Sequence, residues 1–285
     1  MSRNPIERDS FIERDARRRA IALLDPGTFR ELIDPFERVA SPWLPRQGIV
    51  TQADDGVVVA RGTLGGQPAV VLAIEGAFQG GSMGEVSGAK IAGALELAAE
   101  DNLNGIPTRA VIVFETGGVR LQEANLGLAA IAEIHAAICA LRGYGPVIGI
   151  TAGVVGCFGG MSIAAGLCSY LLMTREARLG LNGPQVIEQE AGIEEYDSRD
   201  RPFIWSLTGG EQRNATGLAD VCIEDDSVSI RAQVIEWLRA GAPKHQRSEQ
   251  IDHYLERLAA IDTSRQVTAD DVRTLYAAHA AKDRA

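Results

Sequence analysis

Residues Arg109-Ala-Val-Ile-Val-Phe-Glu115 run directly into Thr116-Gly117-Gly118-Val119-Arg120, and the reading of that junction decides the fold. The first segment is short, apolar and β-branched, the pattern of a buried strand. Beyond the glycines, Leu128, Ile131, Ile134, Ile138 and Leu141 recur at helical spacing within Leu121 to Leu141. A strand ends, two glycines turn the backbone with no Cβ in the way, and a helix begins. The unit repeats downstream: Pro146-Val-Ile-Gly-Ile-Thr151 predicts a strand, Gly153 to Gly160 a glycine turn, and the apolar run from Met161 a helix. N–H groups left free at such turns point beyond the strand end. Two turns aimed at one place can hold an oxyanion.

Upstream, Gly56 to Gly62 and Pro68 to Ile74 predict two strands joined through Gly65-Gly66 as a hairpin. Ser10 to Leu24 and Phe29 to Val39 read as helices, the first stopped by Asp25-Pro26-Gly27. Gly80-Gly81-Ser82-Met83-Gly84 precedes a helix from Glu85 to Glu100, with Ile91, Leu95 and Leu97 among its apolar positions. Downstream, Tyr170 to Thr174 and Arg178 to Leu181 read as strands, and Asn182-Gly183-Pro184 opens a helix with proline where its missing N–H costs nothing. Asp197 to Pro202 reads as a charged loop, Thr208 to Ala219 as a helix and Asp220 to Glu224 as a last strand. Three helical patterns follow Ser227, the third opened by Thr268 and Asp271 in a capping-box arrangement. The expected organisation is one domain over 1–285: a helical extension over 1–47, an α/β core over 48–226 and C-terminal helices over 227–285.

The chain's 285 residues, 46% hydrophobic and 23% charged, suit a globular protein. A net charge of −10 and a pI near 5.0 leave no basic stripe for nucleic acid. The cluster Arg14-Asp-Ala-Arg17-Arg18-Arg19 is interleaved with acids and reads as a solvated helix face. Cys139, Cys157, Cys168 and Cys222 form no C-x-x-C pair, so neither a zinc ribbon nor a dithiol motif is expected, and no metal site. Reduced thiols in a cytoplasmic protein fit that pattern. The polar stretch Met1 to Asp15 has no apolar signal region, and no run reaches membrane-spanning length.

Gly80-Gly81-Ser82-Met83-Gly84 also matches the G-x-S-x-G nucleophile elbow of serine hydrolases. That chemistry needs a histidine on a loop after a strand. His135 falls in a helix, and His245, His253 and His279 fall in the polar tail. Glu115, Glu123, Glu188, Glu190 and Glu194 are candidate acids or bases, and none is paired with a second carboxylate at a convincing spacing. Chemistry carried by the backbone of the two glycine turns is therefore the stronger reading.

Gly80 to Gly84, Thr116-Gly-Gly-Val-Arg-Leu-Gln-Glu123 and Gly183-Pro-Gln-Val-Ile-Glu-Gln189 together resemble the carboxyltransferase β-type signatures of the crotonase superfamily. They stand in the same order at similar separations, and Ala22-Leu-Leu-Asp-Pro-Gly-Thr-Phe29 is similar to that family as well. The likeness covers roughly Ala20 to Asp225. Within the superfamily, the chain resembles the β subunits of biotin-independent malonate decarboxylases. The four-cysteine ribbon of bacterial acetyl-CoA carboxyltransferases is missing, Thr-Gly-Gly-Val-Arg replaces the usual Ser-Gly-Gly-Ala-Arg, and a charged insertion runs from about Glu194 to Arg201.

The resemblance implies a crotonase-like (ClpP/crotonase) spiral of β-β-α units with added N- and C-terminal helices. It implies decarboxylation of a malonyl thioester to acetyl thioester and carbon dioxide, with an enolate stabilised by main-chain N–H groups. Gly117, Gly118 and Val119 would supply one oxyanion hole, Gly159 and Gly160 the other. Gly80, Gly81, Ser82, Met83 and Arg120 would bind substrate. No cofactor is expected on this chain, the thioester riding on the phosphopantetheine-type, dephospho-CoA-derived arm of an acyl carrier protein. The implied partners are a related γ subunit completing the site, the carrier protein and an acyl-transferase subunit. Two alternatives stay open: a carboxyltransferase β subunit of a biotin-dependent acyl-CoA carboxylase, and a non-catalytic scaffold for the γ subunit.

Overall fold

The computed structural model describes residues 8–282. Met1 to Glu7 of the polar N-terminal stretch, and the side chain of His279, lie outside the described residues. Seven strands, β1 (Arg30–Leu32), β2 (Val57–Leu64), β3 (Gln67–Ile74), β4 (Arg109–Phe114), β5 (Val147–Thr151), β6 (Tyr170–Thr174) and β7 (Val221–Ile223), form one sheet in chain order. Gly65 and Gly66 take left-handed backbone angles, φ +61° and +81°. A two-residue hairpin needs such angles, and β2 and β3 pair antiparallel across it, Leu64 opposite Gln67. From β3 to β7 every pairing is parallel. The crossovers between β3 and β6 are α2 (Glu85–Leu103), α3 (Asn125–Leu141) and α4 (Gly160–Leu167).

Strand side chains alternate between two cores. Ile112 and Phe114 meet Ile91, Leu95, Ile131, Ile134 and Met161 of the crossover helices. Val111, Val113, Ile148 and Ile150 face α1 (Ala16–Leu23) and α8 (Ser227–Ala240), where Leu23, Ile230 and Val234 are buried. Burial on both faces explains why these strands read as unbroken apolar runs. Beyond the strand ends lies a short second layer, made of parallel bridges Met83 to Val119, Thr116 to Cys157 and Cys157 to Leu179.

Between β6 and α8, α5 (Pro184–Ala191) starts with Pro184 as expected, followed by α6 (Arg201–Thr208) and α7 (Gly210–Ala215). The tail adds α9 (Ile251–Ala259) and α10 (Ala269–Lys282). Thr268 and Asp271 exchange hydrogen bonds at the start of α10, N–H to carboxylate at 2.9 Å and N–H to hydroxyl at 3.2 Å.

Several expected elements differ. Phe29 to Val39 is not a helix: Arg30–Leu32 pairs with Val59 to Arg61 of β2, and Asp34 caps a single turn of 3-10 helix over Pro35–Glu37. Ser10 to Arg14 is not helical either. The Asp225 carboxylate accepts the N–H groups of Phe11 (2.8 Å) and Ile12 (3.0 Å), and α1 starts only after the Asp15 cap. Ala124, at φ +46°, separates a turn over Leu121–Glu123 from α3, so Leu121 to Leu141 is not one helix. Arg178 to Leu181 forms isolated bridges in place of a strand. Asp200 caps α6, which takes Arg201 and Pro202 out of the charged loop. Thr208 to Ala219 breaks at Gly209, whose extended backbone divides α6 from α7. Leu97 and Leu128 are exposed, not core.

Candidate active site

Gly81 packs so closely that a Cβ there would stand 1.8 Å from the Glu115 carbonyl oxygen, a place only glycine can take. The close approach laces two turns together. Gly117 N–H donates to Gly80 O (2.9 Å), Met83 N–H to Gly118 O (2.8 Å) and Arg120 N–H to Met83 O (2.7 Å). The second turn joins from the other side, with Thr116 N–H donating to Gly156 O (2.8 Å) and Phe158 N–H to Thr116 O (3.0 Å). Gly118 (φ +105°) and Gly159 (φ +61°) then face each other: a Cβ on Gly159 would lie 3.1 Å from the Gly118 Cα. The structure thus brings together the two glycine turns, which the sequence separates by about forty residues.

Their donors are not equally available. Gly117 donates to Gly80, Gly118 to its neighbour Thr116 Oγ1 (3.0 Å) and Gly159 to Leu181 O (2.8 Å). Gly118 and Gly159 were expected to offer N–H groups to an oxyanion, and both are engaged inside the chain. Among the described residues, Val119 and Gly160 keep theirs out of the backbone network. Gly160 is also the first residue of α4, where the helix adds partial positive charge. His135 Nε2 meets the Gly160 carbonyl at 2.8 Å and fixes that end of α4.

Arg120, a substrate-binding candidate in the sequence, is committed to contacts inside the protein. Its side chain is fully buried and its guanidinium is spent on Asp55 (2.9 Å to both oxygens), Glu123 (2.9 Å) and the Ser82 carbonyl (3.0 Å). The cluster locks the Thr116 to Arg120 turn to the Gly80 to Gly84 turn. Glu123 also accepts the Glu85 N–H at 2.7 Å. Burial pushes the Glu123 carboxyl up, but the Ser41 hydroxyl, the Glu85 N–H and Arg120 outweigh it and hold the group below its ordinary range. An ionised, enclosed carboxylate is no proton donor. Asp55 sits at φ +50°, a strained angle, and Lys90 Nζ fixes its loop by donating to the flanking Asp54 (2.8 Å) and Val57 (2.6 Å) carbonyls. Met83 points into the core, so only its main chain belongs to the site.

Glu115 anchors the second turn. Its carboxylate accepts the Val155 N–H (2.7 Å) at the edge of the cleft and the buried Arg19 guanidinium (2.8 Å). Space for it exists because Gly153 has no side chain: a Cβ there would fall 1.5 Å from the carboxylate oxygen. Arg19 therefore leaves the solvated arginine face expected of Arg14 to Arg19. No local pattern marks this pair, whose members lie 96 residues apart.

The turns open onto a cleft of about 930 Å³, with Gly80, Gly117 and Phe158 on one side and Pro184, Arg201 and Trp205 of α5 and α6 on the other. Ser82 does not form a nucleophile elbow. Its backbone is extended (φ −67°, ψ 142°), and its hydroxyl lies 3.4 Å from Arg120 Nε. Glu188 accepts the Ser198 N–H at 2.7 Å and serves the loop. Among the described residues, no group of three or more His, Cys, Asp or Glu could hold a metal ion, and no helix is long and apolar enough to cross a membrane.

A seven-stranded spiral with backbone-lined turns at one strand end defines a class, and the family comparison agrees. The carboxyl transferase domain model matches residues 13–280, and the chain belongs to that family, with its crotonase-like fold. It is 42% identical over 232 residues to the malonyl-S-ACP:biotin-protein carboxyltransferase MADC of Malonomonas rubra, covering 78% of this chain and 73% of that protein. Among solved structures it resembles a chain of a Pseudomonas malonate decarboxylase hetero-tetramer in complex with malonate, with 70% identity and a TM-score of 0.93 over 95% of this chain and 98% of that one. A chain of the Pseudomonas MdcD–MdcE hetero-dimer gives 62% identity and a TM-score of 0.77 over 90% of this chain and 100% of that one.

Proposed function

We propose that this chain is the β subunit of a malonate decarboxylase, a carboxy-lyase that converts a carrier-bound malonyl thioester to acetyl thioester and carbon dioxide. The reading is carried by the abutment of the two glycine turns, with the Val119 and Gly160 N–H groups left outside the backbone network. Loss of carbon dioxide leaves an enolate whose charge grows on the thioester oxygen. Donors fixed beforehand at that point stabilise the transition state more than the substrate. Each is worth roughly 3 kcal/mol, about a hundredfold in rate. Gly117, Gly118 and Gly159 shape the turns, while Gly80, Gly81 and Ser82 hold the facing loop.

The partners are a related γ subunit, an acyl carrier protein bearing a phosphopantetheine-type, dephospho-CoA-derived arm, and an acyl-transferase subunit. Pairing with a γ subunit is supported by the hetero-dimeric and hetero-tetrameric relatives. It is also supported by Leu121 and Leu181, 80% and 61% exposed beside the two turns. A cytoplasmic setting suits the four free thiols. The test is co-purification with the partner subunits followed by carbon dioxide release from malonyl carrier protein, and a complex that releases none refutes the assignment.

One observation favours a second reading, since the Malonomonas relative is named for transfer to a biotin protein. Avidin separates the two: inhibition of the purified complex supports carboxyl transfer, and full activity in its presence supports direct decarboxylation.

A further inference from the structure

Glu115 is the point where the turns after β3, β4 and β5 meet. Its carbonyl oxygen fills the place that a side chain on Gly81 would take. Its own side chain lies against Gly76 and Gly153, where an added Cβ would fall 2.4 Å from Cγ and 1.5 Å from a carboxylate oxygen. The second glycine turn depends on Glu115 at one place. Among the described residues, the Val154–Val155 peptide makes no hydrogen bond to the main chain: its N–H donates to Glu115 (2.7 Å) and its carbonyl accepts from Arg178 (2.7 Å). Gly156, Phe158 and Gly159, by contrast, are tied by backbone groups of Thr116 and Leu181. Side chains alone therefore decide where Val154 and Val155 sit, and Gly160 follows five residues after Val155.

Glu115 is held in turn by Arg19, whose guanidinium has all three nitrogens engaged. They donate to Glu115 (2.8 Å) and to the carbonyls of Phe11 (3.1 Å) and Ile12 (2.8 Å), and the group lies 5.8 Å from the centre of the Phe11 ring. Arg19 and Glu115 are only 6% and 4% exposed. A carboxylate so enclosed keeps its place only while its cation does, since removing one partner leaves an uncompensated charge in the interior. Phe11 and Ile12 are fixed from outside the site, by the Asp225 carboxylate two residues beyond β7. A line of contacts thus runs from the edge strand of the sheet, through the N-terminal loop, to the second glycine turn.

We infer that Arg19 is a positioning residue of the active site: through Glu115 it sets the Val154–Val155 peptide, and with it the second glycine turn. This rests on the decarboxylase reading above. Neither member of the pair touches a reacting atom. Their effect is on where the Gly160 N–H stands when charge grows on the thioester oxygen, an interaction of the transition state, so turnover and not substrate affinity carries it. An ion pair that only stabilises the fold predicts a lower melting temperature with kcat unchanged in the folded complex.

The test uses the assembled complex with malonyl carrier protein, well below the melting temperature of each variant. Arg19→Met should lower kcat about ten- to a hundredfold, up to the loss that a misplacement of about 1 Å produces, with KM within about twofold. Arg19→Lys, which keeps a cation for Glu115, should recover part of the loss. Asp225→Ala removes no partner of a buried charge and should still assemble; it should lower kcat about fivefold and add little on top of Arg19→Met. Asp25→Ala is the control. Asp25 stands at the other end of α1 and accepts the Gly65 (3.0 Å) and Gly66 (2.8 Å) N–H groups of the β2–β3 hairpin, so its loss should lower the melting temperature and leave kcat unchanged. Hydrogen exchange, read by mass spectrometry over residues 153–160, reports the turn without turnover: it should quicken in Arg19→Met and Asp225→Ala and not in Asp25→Ala. Unchanged kcat in Arg19→Met or in Asp225→Ala overturns the proposal, as does an equal loss in Asp25→Ala or unchanged exchange over 153–160. Should the unaltered complex release no carbon dioxide, the decarboxylase reading fails, and exchange alone decides whether Arg19 holds the turn.

Discussion

Gly118→Ala separates the backbone chemistry from mere folding. At φ +105° an L side chain is strained, at a cost of about 1–3 kcal/mol. The new Cβ would lie 3.1 Å from the Phe158 carbonyl oxygen and 3.2 Å from the Gly159 Cα, both main-chain atoms of the facing turn. Each kcal/mol lowers the melting temperature of a chain this size by about 2–4 °C, so the expected fall is about 2–12 °C and the complex stays folded at 25 °C. The same displacement moves the adjoining Val119 N–H, and losing one preorganised donor costs about 10²–10³ in turnover. The measurement pairs a thermal melt with carbon dioxide release by the assembled complex. Gly66→Ala is the control: its φ of +81° carries comparable strain in the β2–β3 hairpin, and its Cβ would meet nothing within 4 Å. It should melt lower by a similar margin with kcat unchanged. Turnover by Gly118→Ala within threefold of the unaltered complex, or an equal loss in Gly66→Ala, would refute the reasoning.

Arg120→Met removes the charge that Asp55 and Glu123 share in the interior and should destabilise by about 3–5 kcal/mol, read by denaturant unfolding. Glu115→Gln keeps an oxygen for the Val155 N–H but strands Arg19, and adding Arg19→Met should recover part of the loss, giving a non-additive double-mutant cycle. Because folding holds the Glu123 carboxyl below its ordinary value of 4.5, its contribution is complete above that pH and is lost as pH falls through the lowered folded value. The stability gap between the unaltered chain and Glu123→Gln should therefore narrow as the pH falls below about 4.5 toward the lowered folded value, and a gap that stays constant on acidification would contradict the assignment. A fluorophosphonate probe should leave Ser82 unlabelled, because its hydroxyl sits beside Arg120 and its backbone lacks the elbow strain.

What the sequence made legible was local. The Gly65-Gly66 hairpin, the strand–turn–helix units and the proline start of α5 each follow from neighbouring residues whose conformational preferences agree with the fold. The segment around Arg30–Leu32 misled because Phe29, Leu32, Ile33 and Phe36 stand at helical spacing, while the pairing that makes it a strand comes from residues about thirty positions later. The glycine turns could be found by pattern, but not which amides remain free. For Gly159 that depends on the Leu181 carbonyl reaching it, a contact that no spacing encodes, whereas Gly118 is taken up by the local Thr116 hydroxyl two residues before it. The same holds for the buried carboxylates: Arg120 reads as a ligand-binding cation until Asp55, 65 residues earlier, is folded against it.

Because the sheet is built in chain order, a polypeptide emerging from the ribosome can lay each strand on its predecessor as it appears. The N-terminal loop cannot follow that schedule. Phe11 and Ile12 wait for Asp225, more than two hundred residues behind them, before their amides find a partner. A segment made before the whole sheet is thus among the last to be secured, and a product cut short before Asp225 would carry α1 without its latch.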